Sequence, residues 1–190
     1  LKRAARKFTE LKSPRLVIRR FRSRDLDAFL AYRNDPIVAR FQGWELPYRR
    51  NEAAEFIRRQ SRAHPDDAGG FQFAVALKDS DQLIGDCYLR CRKEDQSGDI
   101  GYTIAREYQR QGYASEAISR VIDYAFREMG LHRIIATTEC RNLRSIAMLE
   151  RLGFRREGHL VQSSVFRAGI GWQDEYLYAI LDREWRKHRG

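Results

Sequence analysis

Along this chain apolar residues recur at two periods, and the switches between them outline the elements. "ASEAISRVIDYAFREMG" places Ala114, Ala117, Ile118, Val121, Ile122, Ala125 and Phe126 three and four positions apart. That spacing predicts an amphipathic helix, with Gly130 as its stop. "FQFAVALK" (71–78), "QLIGDCYLRC" (82–91) and "SGDIGYTIA" (97–105) are strand-like runs separated by the turn sequences "KDSD" and "KEDQ". They predict an antiparallel meander. "RLVIRR" (15–20) predicts an earlier strand, and "SRDLDAFLAYRND" a helix with Ser23 as N-cap, interrupted at Pro36. "NEAAEFIRRQSRAH" (51–64) predicts a second helix. Beyond Gly130, "HRIIATTEC", "FRREGHLVQSS" and "WQDEYLYAIL" read as strands, and "NLRSIAMLERLG" as a helix after the first of them. The order predicts a mixed α/β sheet domain over 14–190, with residues 1–13 as a flexible basic arm ending at Pro14.

Composition adds constraints rather than a new picture. With 43% hydrophobic and 33% charged residues in 190, the chain is an ordinary soluble domain with a sizeable core. No apolar run approaches the ~18–20 residues that cross a bilayer, and the N-terminus lacks a secretory apolar segment. Cys87, Cys91 and Cys140 form neither an even framework nor a CxxC pair and have no histidine close by, so no metal site is expected. Reduced thiols in a cytoplasmic protein are the expectation. The net charge of +10 favours acidic partners. The basic residues are scattered apart from Lys2, Arg3, Arg6 and Lys7 in the arm, which fits a phosphate-rich cofactor and leaves a nucleic-acid or ribosome contact open.

The chemistry concentrates at "EYQRQGYASEA" (107–117), a strand-to-helix junction. There the first N–H groups of a helix lack intrahelical partners and the helix dipole is positive. Gly112 removes the Cβ that would hold a ligand off the backbone, so the loop suits phosphate oxygens. It is neither a Walker loop nor a GxGxxG fingerprint, and a glycine at such a turn also serves as a plain turn residue.

Gln109-Arg110-Gln111-Gly112-Tyr113-Ala114 resembles the Gln/Arg-x-x-Gly-x-Gly/Ala signature of the GNAT superfamily of acyl-CoA N-acyltransferases. "IGYTIAREY" looks like that family's fourth strand, and Asn142 to Phe154 like its second landmark. "LVIRRFRSRDLDAFLAYRNDPIVARFQGWE" and "WQDEYLYAIL" are similar to the branch of the RimJ/RimL-type ribosomal-protein N-terminal acetyltransferases, which also contains acetyltransferases of small amines. The resemblance covers roughly residues 15–185. It implies the GNAT fold: a single mixed, mostly antiparallel twisted sheet flanked by helices and splayed between its fourth and fifth strands.

The resemblance also assigns roles. Acetyl-CoA is the implied co-substrate, its pyrophosphate held by the backbone of Gln109, Arg110, Gln111 and Gly112 and by Tyr113, Ala114 and Ser115 at the helix start. Pantetheine would pair with the free main-chain edge at Tyr102 and Ile104, where a backbone N–H would stabilise the thioester oxyanion. Asn142 would sit beside pantetheine, although it also suits a helix N-cap. The tyrosine that many relatives carry seven residues after this Asn is Leu149 here, so Ser145 is the expected hydrogen-bond donor to the thiolate, against its reading as an ordinary first-turn serine. The glutamate frequent five residues before the Asn is Thr137. Glu139, two residues on and on the same face, and Asp99 are the alternative bases or water-relay members, whereas Glu116 is expected to support its helix through the dipole.

The implied reaction is direct transfer, in a ternary complex, to a protein N-terminal α-amine or a small-molecule amine such as an aminoglycoside or polyamine. An acetyl-cysteine route through Cys140 lacks a neighbouring histidine base. Phe41, Trp44, Tyr48, Tyr88 and Trp172 are candidate pocket or core aromatics, and one of Asp174 and Glu175 should face a cationic acceptor. A ribosomal-protein partner and a homodimer are expected from the branch alone. The competing reading is an inactive CoA- or RNA-binding module of the same fold.

Overall fold

The computed structural model describes residues 8–67, 69–165 and 171–189. Eight strands form one sheet in the order β1-β2-β3-β4-β5-β6-β8-β7. These are β1 (Glu10–Lys12), β2 (Leu16–Arg19), β3 (Phe71–Leu77), β4 (Leu83–Arg92), β5 (Ser97–Ile104), β6 (Arg133–Glu139), β7 (Arg155–Val165) and β8 (Trp172–Leu181). Every pairing is antiparallel except β5 with β6. The helices are α1 (Leu26–Arg33), α2 (Pro36–Ala39), α3 (Arg50–Arg62), α4 (Tyr113–Arg127), α5 (Leu143–Arg151) and α6 (Asp182–Arg189).

Two clusters of buried apolar side chains cover the two faces of the sheet. On one face α4, α5 and Trp185 of α6 pack over Phe71, Phe73, Ile84, Leu89 and Ile134. On the other, α1 and α3 bury Phe29, Tyr32, Ala53 and Ile57 against Phe21 and Ala74. The periodic residues of α4 from Ala117 to Phe126 all turn inward. At its end Gly130, at φ +75°, turns the chain so that Leu131 N–H reaches the Ala125 carbonyl at 3.0 Å. That is a left-handed glycine stop at the helix C-terminus.

Two sequence expectations are corrected. Phe8 to Ser13 is not part of a flexible arm: Phe8 is buried and Leu11 pairs with Ile18, forming β1. Three residues with one inward apolar side chain give no periodic signal, which is why β1 was invisible. The arm's Lys2, Arg3, Arg6 and Lys7 lie outside the described residues. Ser23 caps nothing; it opens a 3-10 turn, Ser23–Asp25, closed by Arg22 N–H donating to Asp25 Oδ2 at 2.7 Å. The helix is interrupted ahead of Pro36 as expected, α1 ending at Arg33, and Pro36 then starts the short α2, with the Asp35 carboxylate accepting from Ile37 N–H at 2.8 Å.

Candidate functional site

The parallel pair β5–β6 holds only at its beginning. Ser97, Gly98 and Asp99 pair with Arg133, Ile134 and Ile135, and beyond them the strands part. β5 follows β4 to Ile104 while β6 stays with β8 to Glu139, so the sheet splits into two halves. This is the expected splay between the fourth and fifth sequence-predicted strands, renumbered by the addition of β1. The split opens a cleft of about 230 Å³ lined by Phe41, Tyr102, Glu139, Asn142, Ser145 and Glu175 among others.

Backbone groups face this opening. Ala105 N–H donates to Ile84 O at 2.8 Å, so odd-numbered residues at this end of β5 bond to β4 and even-numbered ones point into the gap. Two side-chain amides confirm the parity: Gln42 Nε2 reaches Tyr102 O at 3.4 Å and Gln109 Nε2 reaches Ile104 O at 2.9 Å. The main-chain edge at Tyr102 and Ile104 is thus free of any neighbouring strand, as an extended ligand requires.

At the end of β5 lies the junction. Arg110 and Gly112 have φ of +64° and +82°, and this left-handed pair curls the loop into a nest of N–H groups. The first intrahelical bond of α4 runs from Glu116 N–H to Gly112 O at 3.0 Å, leaving Tyr113, Ala114 and Ser115 N–H without intrahelical partners. No side chain caps them. The loop's side chains also have structural duties. Gln109 braces the loop against Ile104 and accepts from Arg144 of α5 at 3.3 Å, and Gln111 Nε2 donates to Glu107 O at 2.8 Å.

Sequence reasoning missed Arg15. Its guanidinium donates to Gln111 O at 2.9 Å, lies 4.3 Å from the Tyr113 ring centroid and pairs with Glu116 at 2.7 Å. A positive charge from the β1–β2 turn therefore sits on the loop, nearly a hundred residues away in sequence. Glu116 ties that turn to α4 through Ser13 Oγ at 2.7 Å and Arg15 N–H at 2.8 Å. Partial burial works against the Glu116 carboxylate, but the bonds from Arg15 and Ser13 overcome it and hold the group below its ordinary 4.5. A depressed carboxylate stabilises above its unfolded value and loses that contribution as pH falls through its folded one. Glu116→Gln should therefore lower the melting midpoint by a few degrees at pH 7, for a loss of about 1 kcal/mol beside a half-exposed Arg15, and by progressively less below pH 4.5. Melting curves across that range check it; an equal deficit at every pH would refute it.

On the far wall α5 contributes Asn142 and Ser145. Asn142 is the N-cap, its side-chain oxygen accepting from Ser145 N–H at 3.3 Å, and it also lines the cleft. Its cap role is therefore real, and it does not remove the residue from the cleft. Ser145 Oγ and the Tyr102 hydroxyl are 2.7 Å apart across the gap. Burial, only partly offset by Ser145, pushes the Tyr102 phenol up to about 12. Leu149, where a tyrosine was sought, is fully buried.

The acidic candidates separate cleanly. Glu139 is 3% exposed and lines the cleft. Its Oε1 accepts from Arg141 Nε at 2.6 Å, and its Oε2 is a buried acceptor with no partner among the described residues. Directly across the β6–β8 ladder sits Glu175, on the same cleft. Asp174 turns outward instead, 2.8 Å from His159 Nε2. Asp99 is a correction: it forms an ion pair with Arg92 across the β4–β5 hairpin and does not line the cleft. Thr137 does, without a carboxylate to offer. Cys140 has no activation, since burial raises its thiol above the ordinary value.

Of the five aromatics, Phe41 alone lines the cleft. Trp44 and Tyr48 pack instead around Arg33, with Trp44 Nε1 donating to the Arg33 carbonyl at 2.9 Å. Arg33 is itself buried against Asp86 at 3.0 Å. Tyr88 flanks Gly70, and Trp172 is 63% exposed on β8.

The profile described as "Acetyltransferase (GNAT) domain" matches residues 15–155. An uncharacterized N-acetyltransferase of Bacillus subtilis, YnaD, is 35% identical over 171 residues, covering 90% of this chain and 96% of that protein. The ribosomal protein uS5-alanine N-acetyltransferase of Escherichia coli is 33% identical over 90 residues, 47% of this chain and 45% of that one. A crystal structure of spermidine N-acetyltransferase from Vibrio cholerae, in complex with CoA and spermine, superposes with a TM-score of 0.79 at 25% identity, covering 92% of this chain and 99% of the other.

Proposed function

The chain belongs to the GNAT acetyltransferases, and from that premise we propose that it transfers the acetyl group of acetyl-CoA to a cationic primary amine by direct attack in a ternary complex. The observation that carries the reading is the carboxylate of Glu139, a residue lining the cleft, whose Oε2 is buried and has no hydrogen-bond partner among the described residues. A buried acceptor left unpaired costs about 1–3 kcal/mol, and more when charged. A binding site recovers that cost when an ammonium fills it.

The residues fit the co-substrate. The loop of Arg110, Gln111 and Gly112, braced by Gln109, and the free first turn of α4 suit its pyrophosphate. The open edge at Tyr102 and Ile104 suits the amides of pantetheine, with Asn142 opposite. When bound, acetyl-CoA supplies the activated thioester; everything else falls to the chain. Glu139 removes a proton from the acceptor ammonium. A backbone N–H on the open edge of β5 stabilises the oxyanion. Ser145 hydrogen-bonds to the sulfur as the C–S bond breaks.

Glu175 beside Glu139 sharpens the acceptor. Like charges directly opposite on a ladder repel, and Arg141 balances one carboxylate, leaving net negative charge at the amine end of the cleft. This favours a positively charged amine: a peptide α-amine, as on a ribosomal protein, or a polyamine or aminoglycoside. An α-amine needs less help, being partly neutral at pH 7, whereas an aliphatic amine near ~10.4 is about 10³-fold protonated. The cytoplasm, where acetyl-CoA and such acceptors meet, is the compartment this reading requires.

Thiol release from acetyl-CoA tests the proposal, with N-terminal peptides, spermidine and an aminoglycoside as acceptors. Turnover is expected with at least one cationic amine and none with a neutral hydroxyl analogue. Tight CoA binding with no thiol released on any amine would instead establish a binding module that has lost catalysis.

A further inference from the structure

We propose that the Tyr102 phenol donates to Ser145 Oγ and thereby fixes the Ser145 hydroxyl as the hydrogen-bond donor to the departing sulfur, making Tyr102 a positioning residue of the transfer. The inference rests on the acetyl-transfer reading above and adds to it a side chain from the opposite wall of the cleft.

Three observations carry it. Tyr102 belongs to β5 and Ser145 to α5, on opposite sides of the opening, and their hydroxyls meet at 2.7 Å. Both residues line the cleft, and Leu149, the neighbouring α5 position, supplies only hydrocarbon. In the first turn of a helix a serine hydroxyl ordinarily turns back to the backbone; here it reaches out to Tyr102.

Chemistry then sets the direction of the pair. A phenol is a stronger acid than an alcohol, so in a hydroxyl pair the phenol donates and the serine accepts. The serine has one hydrogen left, and with one lone pair occupied that hydrogen is steered away from Tyr102, toward the cleft. Burial keeps the phenol protonated through the working pH range, its value lying near 12. A departing thiolate, whose thiol titrates near ~8.5, does not take a proton from such a group. The pair therefore stabilises charge without transferring a proton. The C–S electron pair goes to sulfur, the Ser145 O–H bonds to it, and the proton that finally neutralises the thiolate is one the amine nitrogen has lost. Tyr102 polarises that O–H and removes its rotational freedom, the pre-organisation that makes a donor effective in a dry site.

The test uses the whole chain with Tyr102→Phe, Ser145→Ala and the double variant. The first readout is the thiol of bound CoA, followed by its thiolate absorbance against pH. Its value should lie about one unit below that of free CoA in the wild type, and each variant should remove the depression. The second is steady-state acetylation. Tyr102→Phe should lower kcat about tenfold with the KM for acetyl-CoA unchanged, and should cost nothing further in the Ser145→Ala background. Additive losses, a raised KM with intact kcat, or a bound-thiol value indifferent to Tyr102 would each overturn the inference. The thiol titration needs no acceptor, so failure to acetylate any amine refutes the proposed activity while this arm still decides the role of Tyr102.

Discussion

Gly112→Val is expected to weaken acetyl-CoA binding by about a hundredfold or more while leaving a folded protein. The argument has two parts. Gly112 sits at φ +82°, where a β-branched residue is strained by roughly 1–2 kcal/mol, so the loop relaxes and the nest formed with Arg110 opens. A Cβ at this position would also stand 3.2 Å from Arg15 Nη2, displacing the guanidinium that rests on the loop. Each lost charge-assisted bond to phosphate is worth about 1.5–3 kcal/mol, and two of them account for the expected factor. The stability cost is far smaller: a few degrees of melting temperature for a domain of this size. Calorimetry with CoA and melts with and without it separate the effects. The wild type should gain stability from the ligand and the variant should not. A folded variant with unchanged CoA affinity would show that 109–115 does not hold the cofactor.

How much of this was legible beforehand depends on range. Gly112 stood out because its neighbours are local: a polar turn on one side, a 3.6-residue repeat on the other. The splay followed from resemblance, and the face of Glu139 from the period of two. Period alone could not separate Glu139 from Asp99, because that choice depends on neighbouring strands. Arg92 claims Asp99 across a hairpin, while Arg141 takes only one oxygen of Glu139. Arg15 and the Tyr102 side chain were missed for the same reason. Arg15 reaches the loop from the β1–β2 turn, and Tyr102 meets Ser145 only because the sheet has split between them. A strand sequence shows which residues share a face, not what stands opposite when the strand loses its neighbour. The aromatics were undecided for a different reason. For Trp44 and Tyr48 the choice between core and acceptor pocket falls to the core, because a buried arginine, Arg33, gathers them on the α1–α3 side. A charged residue as the hub of an aromatic cluster has no periodic signature.

Glu139→Gln carries the second large effect: kcat should fall about 10²–10³-fold with acetyl-CoA affinity unchanged. Glutamine keeps the shape and an oxygen for Arg141, so folding and the β6–β8 ladder should survive; only the ability to take a proton is removed. The pH profile then reads the mechanism. Without the base, only amine that arrives neutral reacts, and below the amine's own value that fraction rises tenfold per pH unit. The variant's kcat/KM should therefore climb with unit slope and level off at the free amine's value, near ~8 for an α-amine or ~10 for an aliphatic side-chain amine. The wild type should be flatter across the same range, so its advantage shrinks as pH rises. Glu175→Gln should behave differently, raising the KM for the amine with little change in kcat, because in the proposed reaction Glu175 contributes only charge to the cleft while Glu139 takes the proton. A Glu139→Gln enzyme with wild-type rate and slope would move the base elsewhere in the cleft. The same loss at every pH would mean that Glu139 shapes the site rather than deprotonates the acceptor.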